Sequence, residues 1–321
     1  MKPLPHFVAA GEALTDMLRT GPASWSSQVG GSTWNVARVV AQLGISSAFA
    51  GAISTDVFGQ ALAEANAGAG LDSRFLQQLD RAPLLAIVHE LNPPSYFFIG
   101  DDSADLHFDA SRLPAGWLDQ VRWVHFGGIS LAREPLAGKL LALARELKAK
   151  GVRISYDPNF RALMDRRYDA TLRAMTAVAD VIKVSDEDLL GLFRCDGGDV
   201  EADTGHAFAA LRAMNPEASY LYTRGARGAS LYQGGATAPG APSAWHVPAP
   251  PVTVADTVGA GDASIGALIY SMMTHAARSA GEHLRFAVAA GAAACEPAGA
   301  VPPALAAVER LFQLTRTAEK L

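Results

Sequence analysis

Cysteine is scarce in this 321-residue chain, with only Cys195 and Cys295, far apart in sequence. They make neither a metal-ligand pair nor a disulfide framework, and free thiols in a reducing compartment are the expected state. Charge of one sign is never concentrated: 27 basic and 32 acidic residues give a net charge of −5 without a long run of either. That pattern speaks against a nucleic-acid or membrane-surface partner. No apolar run reaches membrane-span length, and the stretch from Phe286 to Cys295 is too short. The start, Met1-Lys2-Pro3-Leu4-Pro5-His6, lacks the apolar core of a signal peptide, so a cytoplasmic protein is expected. Several catalytic signatures are missing too. There is no Gly-x-x-x-x-Gly-Lys-Ser/Thr phosphate loop, no His-Glu-x-x-His and no Gly-x-Ser-x-Gly. The eight histidines are scattered.

What the chain does have is apolar content of 50% against 18% charged residues, enough for a substantial core with a small appendage. Its most informative stretch is Asp256-Thr257-Val258-Gly259-Ala260-Gly261-Asp262, followed at once by an apolar helix from Ala263. Gly259, Ala260 and Gly261 leave the first N–H groups of that helix open at the positive end of its dipole, where an anion such as phosphate fits. Asp262 puts a carboxylate into the same place. It is either a plain helix cap or a base that takes a proton from a hydroxyl attacking phosphorus. The run is not a dinucleotide fingerprint, because Asp262-Ala263-Ser264 stands where a third glycine would be.

From the start, Phe7-Val8-Ala9-Ala10 reads as a strand closed by Gly11, and Asp16 follows as either a turn acid or a ligand group at the strand's exit. Gly30-Gly31-Ser32-Thr33-Trp34-Asn35 then leads into a helix carrying Val36, Val39, Val40 and Leu43 at helical spacing. A glycine pair admits backbone contact with a ligand, and Asn35 offers a donor and an acceptor to a hydroxyl; a tight turn with a cap reads equally well. Leu84 to Leu91 and Ser95 to Ile99 read as a hairpin joined by Asn92-Pro93-Pro94, part of a small β-sheet off the main domain. Tyr96 and Phe98 fall on one face of it, either covering a substrate or packing the sheet's own core. Asp101, Asp102 and Asp105 read as a solvated acidic loop.

Beyond Val121, strands and helices alternate, which implies a mainly parallel sheet with helices on both faces. Asp157-Pro158-Asn159-Phe160-Arg161 sits at a strand's carboxyl end, where Pro158 aims Asn159 and Arg161. Arg161 suits a sugar or a carboxylate, or else pairs with Asp165. Lys183-Val184-Ser185-Asp186-Glu187-Asp188 opens another helix, and capping alone accounts for its Ser and acids. Thr223-Arg224-Gly225-Ala226-Arg227-Gly228 turns between two strands, with Arg227 toward a phosphate or solvent. Ala236 to Pro251 reads as loop, and Leu305 to Phe312 as a closing amphipathic helix.

Five of these segments, in order, resemble the ribokinase-like (PfkB) family of carbohydrate kinases, over the chain from Gly11 to about Ala300. The resemblance implies an α/β fold, a mainly parallel central sheet with helices on both faces plus a small β-sheet lid. It implies one kinase domain over 1–321, with the lid formed by segments near 12–29 and 84–108. By resemblance Asp262 is the catalytic base, with Gly259, Ala260 and Gly261 as its anion hole. Asp16, Gly30, Gly31, Asn35, Tyr96, Phe98, Asn159 and Arg161 hold the sugar. Lys183, Ser185, Thr223, Gly225, Gly228, Gly259 and Gly261 serve ATP. The family's Asn-x-x-Glu motif is changed here to Ser185 and Asp188, so Asp188 would reach Mg²⁺ through water. Carbonyls near Asp256 and near Ala298 to Ala300 would hold a monovalent cation such as K⁺, and the lid would serve some members as a homodimer surface. The Asp157 motif is similar to that of fructokinases and ketodeoxygluconate kinases, and Ser185 and the Gly30 to Asn35 pattern are similar to those of fructokinases. Fructose is therefore the first acceptor, 2-keto-3-deoxygluconate its rival, and ribose or a nucleoside comes after them. A non-catalytic sugar-binding regulator is the reading from another class, and the intact Asp262 stands against it.

Overall fold

The computed structural model describes residues 3–91, 94–235 and 244–321. The joint expected at Asn92 and Pro93, and residues 236–243 of the expected loop, lie outside the described residues. The chain opens with β1 (Phe7–Ala10), β2 (Leu14–Arg19), β3 (Trp25–Gly30), α1 (Ser32–Gln42), β4 (Ser47–Ser54) and α2 (Val57–Gly68). Next come β5 (Leu76–Leu79), β6 (Leu85–Leu91), β7 (Pro94–Ile99), a short α3 (Trp117–Gln120), β8 (Trp123–Gly127), α4 (Leu136–Ala149), β9 (Arg153–Asp157) and α5 (Tyr168–Val178). The rest is β10 (Val181–Ser185), α6 (Asp186–Phe193), α7 (Val200–Met214), β11 (Ser219–Thr223), β12 (Ala229–Tyr232), β13 (Ala244–Val247), α8 (Ala260–Thr274), α9 (Ala280–Ala294), α10 (Leu305–Leu314) and β14 (Glu319–Lys320).

Ten strands form one sheet in the order β14-β13-β12-β11-β10-β9-β8-β1-β4-β5. From β5 to β11 every pairing is parallel, and β12, β13 and β14 are added antiparallel. The strands are apolar on both faces because both faces are covered. Along β1, Val8 and Ala10 join one core with Phe126, Ile154, Tyr156 and Leu140, while Phe7 and Ala9 join another with Phe49, Leu221, Ile265 and Leu284. Helices α4, α5, α6 and α7 cover the first face; α1, α2, α8 and α9 cover the second. Helix α8 is buried without a break from Asp262 to Ser271, between α1 and α9. Its small residues let neighbouring helices approach closely: a Cβ on Gly266 would fall 2.8 Å from Val39.

Four strands make a separate sheet, β3-β2-β6-β7, which is the small sheet the sequence predicts. Strand β13 corrects the loop expected over Ala236 to Pro251: Ala244 and Val247 are buried and the strand pairs with β12. The acidic cluster also divides. Asp102 is exposed and bonded to His107 and Arg81, but Asp105 is 1% exposed and paired with Arg133. A buried carboxylate needs such a partner, and this one ties the exit of the small sheet to the segment before α4. Among the described residues no helix is long and apolar enough to cross a membrane.

Candidate active site

The parallel strands β1, β8, β9 and β10 all end at one edge, and the chain leaving each end carries Glu12, Gly128, Asn159 or Ser185. Ligands in open α/β sheets bind outside that edge. Helices α1 and α8 both bring their N-termini to it. Their meeting is recorded in two hydrogen bonds: Ser32 Oγ donates to Asp262 Oδ1 at 2.7 Å, and Asn35 Nδ2 donates to Oδ2 at 3.0 Å. Asp262 is 9% exposed. Burial raises its pKa; the bonds from Ser32 and Asn35 and the charges of Lys183 and Arg161 oppose the rise. The result is a carboxylate held in place and able to accept a proton.

Gly259 caps α8 in the left-handed region at φ 82°. Fewer N–H groups are open at this turn than the sequence suggests. Ala260 N–H is already spent on Thr257 O at 3.2 Å, so the N–H groups of Gly261 and Asp262 remain as the turn's open donors. Beneath Gly261 lies a cation: a Cβ there would sit 3.2 Å from Lys183 Nζ. Lys183 is 5% exposed and pairs with Asp157 at 3.2 Å and Asp188 at 3.4 Å. Burial alone would push its ammonium down, but Asp157, Asp188 and Asp262 outweigh burial and hold it above the ordinary lysine value. Burial also takes Asp157 up to about 7, with Lys183 opposing.

The structure fixes Asp188 firmly. Its Oδ1 accepts from Phe160 N–H at 2.7 Å, and its Oδ2 accepts from Ser185 N–H at 2.8 Å and Ser185 Oγ at 2.9 Å. Ser185 and Asp188 form a reciprocal capping box for α6. The expected cap is therefore formed, and Asp188 also pairs with Lys183. Arg227 pairs with Asp186 at 2.5 Å, and its side chain stays more than half exposed. The Thr223 turn lies beside it, since Ser185 and Thr223 are partners across β10 and β11. Gly225 and Gly228 take φ of 53° and 86°, and Thr223 Oγ1 donates to Val184 O at 3.4 Å.

On the other side, Gly31 has φ 113°, and a Cβ there would fall 2.7 Å from Glu12 O. Only glycine fits both constraints. At Gly30 a side chain would collide with the Asp16 carboxylate, which burial raises to about 6 against the pull of Arg161. Arg161 does not pair with Asp165, whose partner is Arg167 at 2.8 Å. Its Nη1 instead donates to Asn159 Oδ1 at 2.9 Å and Phe160 O at 2.7 Å, and its guanidinium stands 5.9 Å from the Tyr96 ring centre. Asn159 is in the left-handed region at φ 47°. Tyr96 and Phe98 share a sheet face but divide the work, for Phe98 packs on the larger core while Tyr96 carries Arg161.

Asp256 holds a loop. Its oxygens accept from Val258 N–H at 3.0 Å and Gly299 N–H at 2.9 Å. Sequence reasoning gave no role to Ser32, Arg38, Glu12 or Asp157. Ser32 stands in a segment already singled out and could have been found as a hydroxyl beside the glycine pair. Glu12 is 2% exposed and accepts from Ser130 N–H at 3.2 Å and Thr33 Oγ1 at 3.4 Å, which fastens the exit of β8 to the start of α1.

The chain is similar to known proteins over most of its length. The pfkB family of carbohydrate kinases matches residues 7–307. Fructokinase-2 of Zea mays is 30% identical over 88% of this chain and 84% of its own length. A fructokinase of Klebsiella pneumoniae is 31% identical over 83% of each. Among solved structures, a fructokinase from Xylella fastidiosa with bound ATP superposes with a TM-score of 0.83 at 28% identity, covering 97% of this chain and 99% of that one. With a family match over nearly its whole length and the fold of a solved fructokinase, the chain belongs to the pfkB family of carbohydrate kinases.

Proposed function

We propose that this kinase transfers the γ-phosphoryl group of ATP to a primary hydroxyl of fructose. The observation that carries the reading is Asp262, buried at the first turn of α8 and held by Ser32 and Asn35. As the hydroxyl attacks, Asp262 takes its proton, and the N–H groups of Gly261 and Asp262 with Lys183 behind them offset charge on the moving group. Asp16, Gly30, Gly31, Asn35, Asn159, Arg161 and Tyr96 hold the sugar, while Ser185, Thr223, Gly225 and Gly228 face ATP. Mg²⁺ would be held with ATP on the Asp188 side of the site and would offset the charge of the phosphates. Both oxygens of Asp188 already accept protein hydrogen bonds, which favours contact with that ion through water. K⁺ near Asp256 would rest chiefly on carbonyls, since both oxygens of Asp256 accept from backbone N–H groups.

Fructose is favoured over 2-keto-3-deoxygluconate on charge. Arg161 faces Asp16 and Asp262, and one of its arms is spent on its own loop, so a substrate carboxylate would meet two acids beside one partly engaged cation. The small sheet is proposed as the lid over the sugar, since Asp16 and Tyr96 lie on one of its faces. Its other face exposes Phe97 and Ile99 by about half, and a second copy of the chain is proposed to cover it. The cytoplasm is proposed as the place of this activity. ADP release measured across fructose, 2-keto-3-deoxygluconate, ribose and adenosine, with wild type and Asp262→Asn, tests the reading. Turnover should be highest with fructose and should fall by roughly 10²–10⁴ in Asp262→Asn. Near-normal turnover in that variant removes Asp262 as the base, and preference for another acceptor removes fructose.

A further inference from the structure

We infer that Arg38 is a positioning residue for Asp262: it fixes the Asn35 amide with its nitrogen toward the carboxylate and ties that amide to the Ala300 carbonyl. Arg38 lies one turn beyond Asn35 on α1, its guanidinium 4.4 Å from the Trp34 ring centre. Its Nη1 donates to Asn35 Oδ1 at 3.2 Å and to Ala300 O at 3.1 Å. A guanidinium only donates, so the Asn35 atom facing it must be the oxygen. The amide nitrogen is then left for Asp262 Oδ2, at 3.0 Å. Without Arg38 the amide is free to turn over and present its oxygen to the carboxylate. That arrangement is tolerable only when Asp262 is protonated, which is the wrong state for a base.

The second bond reaches further. Gly299, next to Ala300, donates to Asp256, and a Cβ on Gly259 would fall 3.0 Å from the Ala300 Cβ. Arg38 therefore joins the start of the Asp256 to Asp262 run, the segment at Gly299 and Ala300, and the amide that orients the base. The groups facing Asp262 are Ser32, Asn35 and Arg38 from α1, Lys183 from β10, and Asp157 and Arg161 from the end of β9. Among the cations, only Arg38 bonds to a residue that itself touches the carboxylate.

The inference rests on Asp262 being the base, and the test separates the two. The pH dependence of kcat is measured with fructose and MgATP for wild type, Arg38→Met, Arg38→Lys, Asn35→Ala and the Arg38→Met/Asn35→Ala pair. Arg38→Met should lower kcat at pH 7 by about tenfold and move the acid limb up by about one pH unit, with KM for ATP changed less than about twofold. Arg38→Lys, which keeps charge and length, should recover part of both effects. In the Asn35→Ala background the movement caused by Arg38→Met should shrink by at least half. A fall in kcat with the acid limb unmoved, or the same movement in the Asn35→Ala background, would overturn the inference. Retained turnover in Asp262→Asn removes the base and this inference together. An inactive Asp262→Asn beside an unmoved limb in Arg38→Met removes the inference alone.

Discussion

Glu12→Gln should change how the stability of this protein depends on pH, by an amount the structure sets. Glu12 is 2% exposed, accepts from Ser130 and Thr33, and lies so close to Gly128 that a side chain there would collide with it. Burial raises its pKa from 4.5 to about 7, with the Ser130 hydrogen bond opposing. The folded chain therefore holds this proton more tightly than the unfolded chain. The stability it contributes is whole below pH 4.5 and is lost as pH rises through about 7. The gap between those two values, at about 1.4 kcal/mol per pH unit, amounts to about 3 kcal/mol between pH 4.5 and 8. Glutamine is neutral at every pH and keeps the carbonyl that Ser130 and Thr33 need. The variant should thus gain about 3 kcal/mol relative to wild type over that span. Asp157, raised to about 7, adds a loss of the same sign, and His125, lowered to about 3, adds one of the opposite sign as pH falls. Both groups are present in both proteins and cancel in the difference. Urea unfolding followed by circular dichroism at several pH values gives the quantity directly. A difference that does not change with pH, or that moves against the variant as pH rises, would refute the assignment of a buried, proton-holding Glu12.

Gly31→Ala meets both a positive φ and the Glu12 carbonyl, so it should lower stability by roughly 1–3 kcal/mol, read by the same unfolding assay, and raise KM for fructose. Arg161→Ala should raise KM for fructose by about tenfold and leave KM for ATP within about twofold; equal effects on both would place Arg161 away from the sugar. A chelator should abolish turnover and added Mg²⁺ should restore it, read as ADP release.

The parts of the site legible in sequence are those whose chemistry is local. The glycines before Asp262, the glycine pair before Asn35 and the Asp157 segment each declare a strand or helix end within a few residues. What stayed hidden comes from elements brought together across the fold. Ser32 bonds Asp262 across 230 positions and Asn35 across 227, and no spacing rule reaches that far. Asp188 fits a cap and an ion site equally well until Phe160 N–H and Lys183 are seen beside it. Asp105 reads as solvated because Arg133, its partner, lies beyond the whole of α3 and β8. The sheet was legible through its buried parallel strands. Strands β13 and β14 were not: four residues and two residues at a sheet edge carry too little pattern to be told from loop.

The structure also answers why a carboxylate persists at a helix end suited to anions. A dipole's positive end would by itself favour ionised Asp262, whereas burial disfavours it. In the role proposed for Asp262, neither effect alone suffices: the first makes a carboxylate too weak to take a proton, the second a neutral acid unable to take one. The hydrogen bonds from Ser32 and Asn35 do most to offset burial, and the charge of Lys183 adds to them. Gly261, lacking a side chain, lets its ammonium come up beneath the turn, and Asp157 and Asp188 hold it charged in a place where burial would otherwise strip its proton. The turn therefore keeps a positive floor that a phosphate can use even while Asp262 is ionised. A side chain at Gly261 would crowd that ammonium, so the glycine is needed for the cation below it as well as for the phosphate expected above.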